Sequence, residues 1–226
     1  MRKIVLAIGL SLVVLIGLFF YQKSEFADKK LHIVFCDVGQ GDAVYIRTPG
    51  NIDILIDGGR KGEKVLKCLQ NNMPLTDRDL ELVFATHPDA DHITGLLDVI
   101  KRYRVLSFNT VSAKKETSVY DKLLDGIASA KIPLRMISSG DSFKLSDGVK
   151  IDTLWPEKIF STPRTNEFSL VQILSYADFQ ALFTGDITYQ ILNSLTFTDT
   201  NFDVFKLPHH GSKTGVDDLT FQRIDA

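Results

Sequence analysis

Residues 82–92 read Leu82-Val83-Phe84-Ala85-Thr86-His87-Pro88-Asp89-Ala90-Asp91-His92, an apolar run followed by four potential metal ligands within six positions. The run has the length and composition of a buried strand, and from His92 to about residue 102 the apolar spacing becomes helical. His87 and Asp89 alternate in an extended or turn segment and so can meet one ion. Asp91 and His92, at the start of the helix, can turn to a second ion nearby. Imidazole with carboxylate suits Zn²⁺ or Mn²⁺, and two such ions about 3.5–4 Å apart share a water-derived nucleophile. A solvated loop that merely opens a helix, with Asp91 as its N-cap, leaves the paired histidines unexplained.

The same pattern recurs along the chain. Asp37 ends Ile33-Val34-Phe35-Cys36, Asp57 ends Ile54-Leu55-Ile56, Asp186 follows Ala181-Leu182-Phe183, and His209-His210 follow Val204-Phe205-Lys206-Leu207. Five strands therefore deliver Asp or His to what can be one sheet edge, where loops held by a rigid scaffold form sites. Strands are predicted at 32–37, 43–48 and 52–56, a meander, then a helix at 61–72, the strand at 82–86 and the helix at 92–102. Further on come a helix at 118–130, strands at 134–137, 149–154, 168–176 and 179–184, a helix at 187–195 and a strand at 203–207. This mixture fits an α/β (α+β) sandwich of two sheets with outer helices.

Several features also have plain structural readings. Gly39 and Gly41 suit a hairpin turn, and Asp57 before two glycines caps a strand or orients a ligand histidine from behind. Lys206, Lys213 and the pair Lys114-Lys115 are phosphate contacts or simply solvated charges. Trp155-Pro156 ends a strand and reads as packing. Cys36 and Cys68 lie in different elements without zinc-finger spacing, and Cys36 reads as a small buried hydrophobe, with a disulfide or a chemical role as the other readings.

His87-x-Asp89-x-Asp91-His92 resembles the HxHxDH signature of the metallo-β-lactamase superfamily, with Asp at the third position. Asp37-Val38-Gly39-Gln40-Gly41-Asp42-Ala43, Ile56-Asp57-Gly58-Gly59, Phe183-Thr184-Gly185-Asp186 and Leu207-Pro208-His209-His210-Gly211-Ser212 are similar, in the same order, to motifs of the ComEC/Rec2-like competence-protein hydrolase domain. The resemblance covers residues 32–215 and implies a metallo-β-lactamase αββα sandwich. It implies two divalent ions, Zn or Mn, held by His87, Asp89, Asp91, His92, Asp186 as the bridging carboxylate, and one of His209 and His210, which it leaves open. Asp91, His92 and Asp186 would be closest to the chemistry. Asp37, Asp42, Asp57, Ser212 and Lys213 would shape the site or contact substrate. The superfamily's further histidine before the TGD motif is missing from Arg164-Thr165-Asn166-Glu167, where Asn166 is the implied stand-in. Related domains continue past the HHGS motif to a GHP loop, so the resemblance also implies a C-terminally truncated form with weak activity.

Ahead of this domain, expected over 31–226, residues 4–21 carry no charge and as a helix would be about 27 Å long, close to a bilayer's hydrocarbon thickness. Residues 1–30 thus read as an anchor with a polar tether. A cleaved signal peptide, giving a secreted protein, and a buried soluble helix are the other readings. Glu25 stands two places before Ala27, where cleavage would want a small residue. The weak basic bias of Arg2 and Lys3 favours an extracytoplasmic catalytic domain.

The chain is 44% hydrophobic and 24% charged, which excludes a disordered protein. Its net charge of −2 offers no global attraction for nucleic acid, so a polyanionic substrate needs a local basic patch or bound dications. The expected function is that of a membrane-tethered metal-dependent hydrolase. A phosphodiesterase or nuclease acting on DNA or RNA follows from the resemblance. Hydrolysis of a lactone, thioester or β-lactam and a non-catalytic binding module are the alternatives. A basic groove at the metal edge would favour the first, a closed apolar pocket the second.

Overall fold

The computed structural model of the chain describes residues 2–26, 28–113, 117–197 and 201–224. Helix α1 (Arg2–Glu25) is followed by an antiparallel meander, β1 (His32–Phe35), β2 (Val44–Arg47) and β3 (Asp53–Ile56). Then come α2 (Gly62–Asn72), β4 (Asp79–Leu80), β5 (Leu82–Ala85), α3 (Ala90–Ile93), α4 (Leu96–Arg102), β6 (Arg104–Val105) and β7 (Phe108–Thr110). The second half runs α5 (Ser118–Ser129), β8 (Leu134–Met136), β9 (Ser142–Lys144), β10 (Lys150–Trp155), β11 (Val171–Tyr176), β12 (Phe179–Phe183), α6 (Tyr189–Ser194), β13 (Val204–Phe205) and α7 (Asp218–Arg223). One sheet has the order β1-β2-β3-β5-β7-β8 and the other β13-β12-β11-β10-β9.

Four layers follow from the way each strand divides its apolar residues. Val44, Ile46, Ile54, Ile56 and Phe84 meet Ile151, Leu174, Ala181 and Phe183 between the sheets. The alternate residues Tyr45, Leu55, Val83 and Ala85 pack on the other face against Val65 and Leu69 of α2, Leu96 and Val99 of α4, and Leu123 and Ile127 of α5. On the far side Val171, Ile173 and Leu182 pack on Leu192 of α6 and on Ile224. Both faces of the central strands are covered, which is why runs such as Ile54-Leu55-Ile56 are apolar without alternation. Full burial of each such side chain contributes about 1.5–3 kcal/mol.

The structure departs from the sequence expectations at several points. The helix expected over 92–102 is two helices, α3 and α4, with Thr94 and Gly95 between them. A Cβ on Gly95 would lie 1.9 Å from the Gly58 carbonyl oxygen, so the loop after β3 docks where the helix breaks. Gly58 N donates to the His92 carbonyl at 2.7 Å in the same contact. The short strands β4, β6, β7 and β9, and α7, were not foreseen. Cys36 is not merely a buried hydrophobe, because it forms a disulfide with Cys68 of α2, Cα atoms 5.7 Å apart. Lys114 and Lys115 lie outside the described residues.

Away from the polar edge, Arg47 is buried on a carboxylate. Its Nη1 donates to Asp53 Oδ1 and Oδ2 at 2.7 and 2.5 Å, and Tyr45 OH donates to Asp53 Oδ1 at 2.6 Å. Asp53→Ala would leave that guanidinium with only Asp77 Oδ2, at 3.5 Å, as a charged partner. The expected cost is about 3 kcal/mol, the low end for a broken buried pair, read as a lower midpoint of urea unfolding.

Helix α1 is apolar on every side. Over Lys3–Tyr21 its mean hydropathy is 2.8 and none of that span is buried, so it is long and apolar enough to serve as a membrane anchor or a signal sequence.

Candidate metal centre

The strands β3, β5, β7 and β8 run parallel, so their C-terminal ends share one edge. Asp57 follows β3 there, and Thr86, His87, Asp89, Asp91 and His92 follow β5. In the second sheet β12 and β13 are also parallel and deliver Asp186 and the Lys206–His210 segment. The loop from Asp37 to Asp42 closes over this edge. Gly41 has φ +97, and a Cβ on it would lie 1.7 Å from the Asp91 carbonyl oxygen, so only glycine lets the loop seat against Asp91.

The centre is organised around Asp186 Oδ2. Nε2 of His92 lies 3.3 Å from it, Nε2 of His210 3.5 Å, and Nε2 of His87 and of His209 4.0 Å each. Each of these rings is held from behind through Nδ1. His92 Nδ1 donates to Asp57 Oδ2 at 2.8 Å, His210 Nδ1 faces Asp42 Oδ1 at 3.3 Å, and His209 Nδ1 meets Thr214 Oγ1 at 2.8 Å. His87 Nδ1 meets Thr86 Oγ1 at 3.0 Å.

The last contact fixes a tautomer. Thr86 Oγ1 donates its one proton to Asp57 Oδ2 at 2.7 Å, so toward His87 it can only accept. His87 therefore carries its proton on Nδ1 and turns the lone pair of Nε2 toward a carboxylate. Burial, reinforced by the charge of His92, pushes the His87 imidazole down to about 3 and keeps it neutral. Its Nε2 is buried without a hydrogen-bond partner, as are His92 Nε2 and Asp186 Oδ1. A lone pair facing a carboxylate in a buried site is reconciled by a cation between them. Donors about 2.1 Å from a tetrahedral ion stand about 3.4 Å apart, and Asp186 Oδ2 lies 3.3 Å from His92 Nε2 and 3.5 Å from His210 Nε2. The residues present thus fit divalent metal ions.

Electrostatics point the same way. Burial opposes charge on His92, but the carboxylates of Asp57 and Asp186 outweigh it and raise that imidazole well above its usual value. Burial would raise Asp186, yet His92, His87 and Lys206 hold it well below the usual carboxylate range. The hydrogen bond to Asp42 raises His210. Asp42, His92, Asp186 and His210 each place a ligand atom within 4.8 Å of the others.

Not every expected residue comes to this centre. Asp37 turns away, its carboxylate 91% exposed and paired with Lys64 at 3.2 Å, because the turn it opens points it to solvent beside α2. Asn166 sits in a 3-10 turn, Thr165–Phe168, and its side chain hydrogen-bonds none of the cluster residues. Ser169, three positions on, is the residue that reaches the centre, its hydroxyl accepting from Asp186 N at 3.0 Å. Ser212 acts at one remove, its hydroxyl 2.8 Å from Thr214 Oγ1 behind His209. Lys213 is exposed. Lys206 is neither solvated nor free to hold a phosphate, since its ammonium pairs with Asp42 and donates to the Gly185 carbonyl at 3.0 Å. Its place between an apolar strand and the histidine pair was the available signal. The profile of the Metallo-beta-lactamase superfamily matches residues 36–220.

The chain belongs to the metallo-β-lactamase superfamily.

Its αββα layering is the fold of that superfamily, and the cluster lies in the matched region. Solved structures similar to this chain include a metallo-beta-lactamase of Cronobacter sakazakii with a HARLDQ motif. It is 14% identical, with 69% of this chain and 61% of that one covered and a TM-score of 0.48. A putative metal-dependent hydrolase from Parabacteroides distasonis is 14% identical, with 79% and 69% covered and a TM-score of 0.47. A chemotaxis sensor described as a peroxy diiron species is 16% identical, with 70% and 60% covered and a TM-score of 0.47. The chain thus spans about three fifths of the length of the Cronobacter protein. No curated protein matches it.

Among the residues behind the metallo-β-lactamase centre, Asp57 is the most connected, accepting from Thr86 N at 2.8 Å, Thr86 Oγ1 and His92. Its φ is +59, a conformation that asparagine tolerates. Asp57→Asn is therefore expected to keep the backbone but weaken metal affinity by about 10–100-fold, measured by titration of the metal-stripped protein.

Proposed function

We propose that this metal-dependent hydrolase is a membrane-tethered phosphodiesterase acting on DNA or RNA through a dinuclear site. The observation that carries the reading is the openness of the metal edge. His209 and His210 are each 34% exposed and Asp91 24%. A cleft of about 500 Å³ is lined by Ser138, Asp141, Glu157, Lys158, Phe160 and Phe168, among others. Its wall at Phe168 continues into Ser169, which touches Asp186. Hydroxyls, charged side chains and aromatic rings near an open centre suit a polar, extended substrate better than a small apolar one, and with two carboxylates against one lysine in the cleft a polyanion would draw its attraction from the bound dications. The four motifs that resemble those of ComEC/Rec2-like domains support the same substrate class.

A pair of divalent ions bound here would supply Lewis-acid polarisation of the phosphoryl group and an activated water. The chain's own residues do the rest. His87, His92, His209 and His210 keep Nε2 turned inward because each Nδ1 is engaged. Asp186, buried and held ionised, supplies the negative charge at the centre. Asp91, the more exposed carboxylate, would orient the attacking water and accept its proton.

The tether is α1, and the Cys36–Cys68 disulfide supports an extracytoplasmic domain, since disulfides persist in oxidising compartments. The test is to incubate the purified full chain in detergent with Mn²⁺ or Zn²⁺ and single-stranded DNA, duplex DNA, RNA, a lactone and a β-lactam. Metal-dependent cleavage of a nucleic acid is the expected result. Turnover of the lactone or β-lactam alone would overturn the phosphodiesterase reading. Membrane fractionation in the same preparation tests the tether, and recovery of soluble protein beginning near Asp28 would replace it with a cleaved signal.

A further inference from the structure

We infer that both members of the His209-His210 pair are metal ligands and that they serve different ions: His210 the ion beside Asp91 and His92, His209 the ion beside His87 and Asp89. The inference rests on the dinuclear reading of the centre and deepens it.

Neighbouring residues in an extended strand point their side chains to opposite faces. Here the chain leaves β13, passes Pro208 and enters the left-handed region twice in succession, His209 at φ 49, ψ 47 and His210 at φ 54, ψ 28. Two consecutive non-glycine residues in that region are uncommon and carry strain, which persists where the surroundings over-determine it. The result is that both rings reach one carboxylate oxygen, Nε2 to Asp186 Oδ2 at 4.0 Å for His209 and 3.5 Å for His210. The ring centroids are 6.1 Å apart at 63°, so the two imidazoles flank that oxygen rather than stack on one side of it.

Their surroundings separate them. His210 Nε2 also lies 4.0 Å from Asp91 Oδ2, its ring is near-parallel to that of His92 at 5.5 Å, and its Nδ1 faces Asp42. His209 comes within ion-pairing distance of neither Asp91 nor Asp42, and its Nδ1 is held by Thr214, which Ser212 supports in turn. The Asp91, His92 and His210 side already has three donors besides Asp186. The other side has His87, whose Nε2 lies 4.0 Å from the same Asp186 oxygen, and Asn166 hydrogen-bonds none of these residues. His209 is the imidazole that supplies the missing donor there. A purely structural histidine would not need a Thr–Ser relay fixing Nδ1 while Nε2 stays open toward a carboxylate.

The test uses the metal-stripped full chain in detergent, titrated with Mn²⁺ and followed by elemental analysis and electron paramagnetic resonance. Wild type is expected to take up two ions with the spectrum of a spin-coupled pair. His209→Asn and His210→Asn, which keep a side chain that tolerates the left-handed backbone, are each expected to take up one ion with an uncoupled six-line spectrum. Two ions and an unchanged coupled spectrum in His209→Asn would overturn the inference. If wild type itself takes up a single ion, the dinuclear reading falls, and the inference with it, a result distinguishable because it appears without any substitution. Should His209→Asn fail to fold, Thr214→Val leaves the imidazole in place and frees its Nδ1. One of the two dissociation constants is then expected to rise about 10–100-fold, and two unchanged constants would overturn the assignment.

Discussion

Asp186→Asn is expected to lose both ions and metal-dependent turnover together, by more than the 10–100-fold expected for a partner that only orients a ligand. The substitution keeps the size and the hydrogen-bonding outline of the side chain, and the backbone N–H that donates to Ser169 remains. What goes is the negative charge on which four imidazoles converge. With Asp57 still behind it, His92 keeps one carboxylate partner, so the metal-free protein should unfold at nearly the wild-type temperature. Metal uptake and thermal unfolding measured side by side check this. A variant that still binds two ions, or one whose metal-free form is already unfolded, would remove Asp186 from the hub of the centre.

Cys36→Ser/Cys68→Ser carries the second large effect. The bond joins residues 32 apart, and opening a loop of that length costs about 3–4 kcal/mol through the entropy of the unfolded chain. For a domain of this size the unfolding temperature should fall by about 10 °C. The effect should extend to the site. Cys36 immediately precedes the Asp37–Asp42 loop, whose Asp42 faces His210 and pairs with Lys206. Reduction of the wild-type protein should reproduce the variant's behaviour, read by calorimetry with and without dithiothreitol. Equal unfolding temperatures in both states would show that the bridge contributes nothing to the fold.

Much of this was legible because burial on both faces writes itself into the strands. Ile54-Leu55-Ile56 and Leu82-Val83-Phe84-Ala85 are apolar throughout, so the polar residue that ends each one marks a sheet edge. The clustering of His87, Asp89, Asp91 and His92 then pointed to metal chemistry before any geometry. What stayed hidden depends on contacts between distant segments. The break at Gly95 exists because Gly58 approaches from the loop after β3. The Cys36–Cys68 bridge needs α2 to pack beside β1, and nothing in the spacing of two cysteines announces it. Lys206 looked like a surface charge until the Asp42 loop covered it, whereas Asp37, five residues earlier, points to solvent. The two-residue strands β4 and β6 are too short to show a period. The histidine pair was ambiguous because alternation along a strand allows only one of two neighbours to face inward. The left-handed turn at His209 and His210 removes that restriction.

The most direct measurement is the rate of single-stranded DNA hydrolysis by the metal-stripped full chain as Mn²⁺ is added in fractional equivalents. No cleavage without metal, and a rate that rises to a plateau at two ions per chain, is the expected result. Full activity in the presence of a chelator, or no phosphodiester cleavage at any metal ratio by a folded protein, would contradict it.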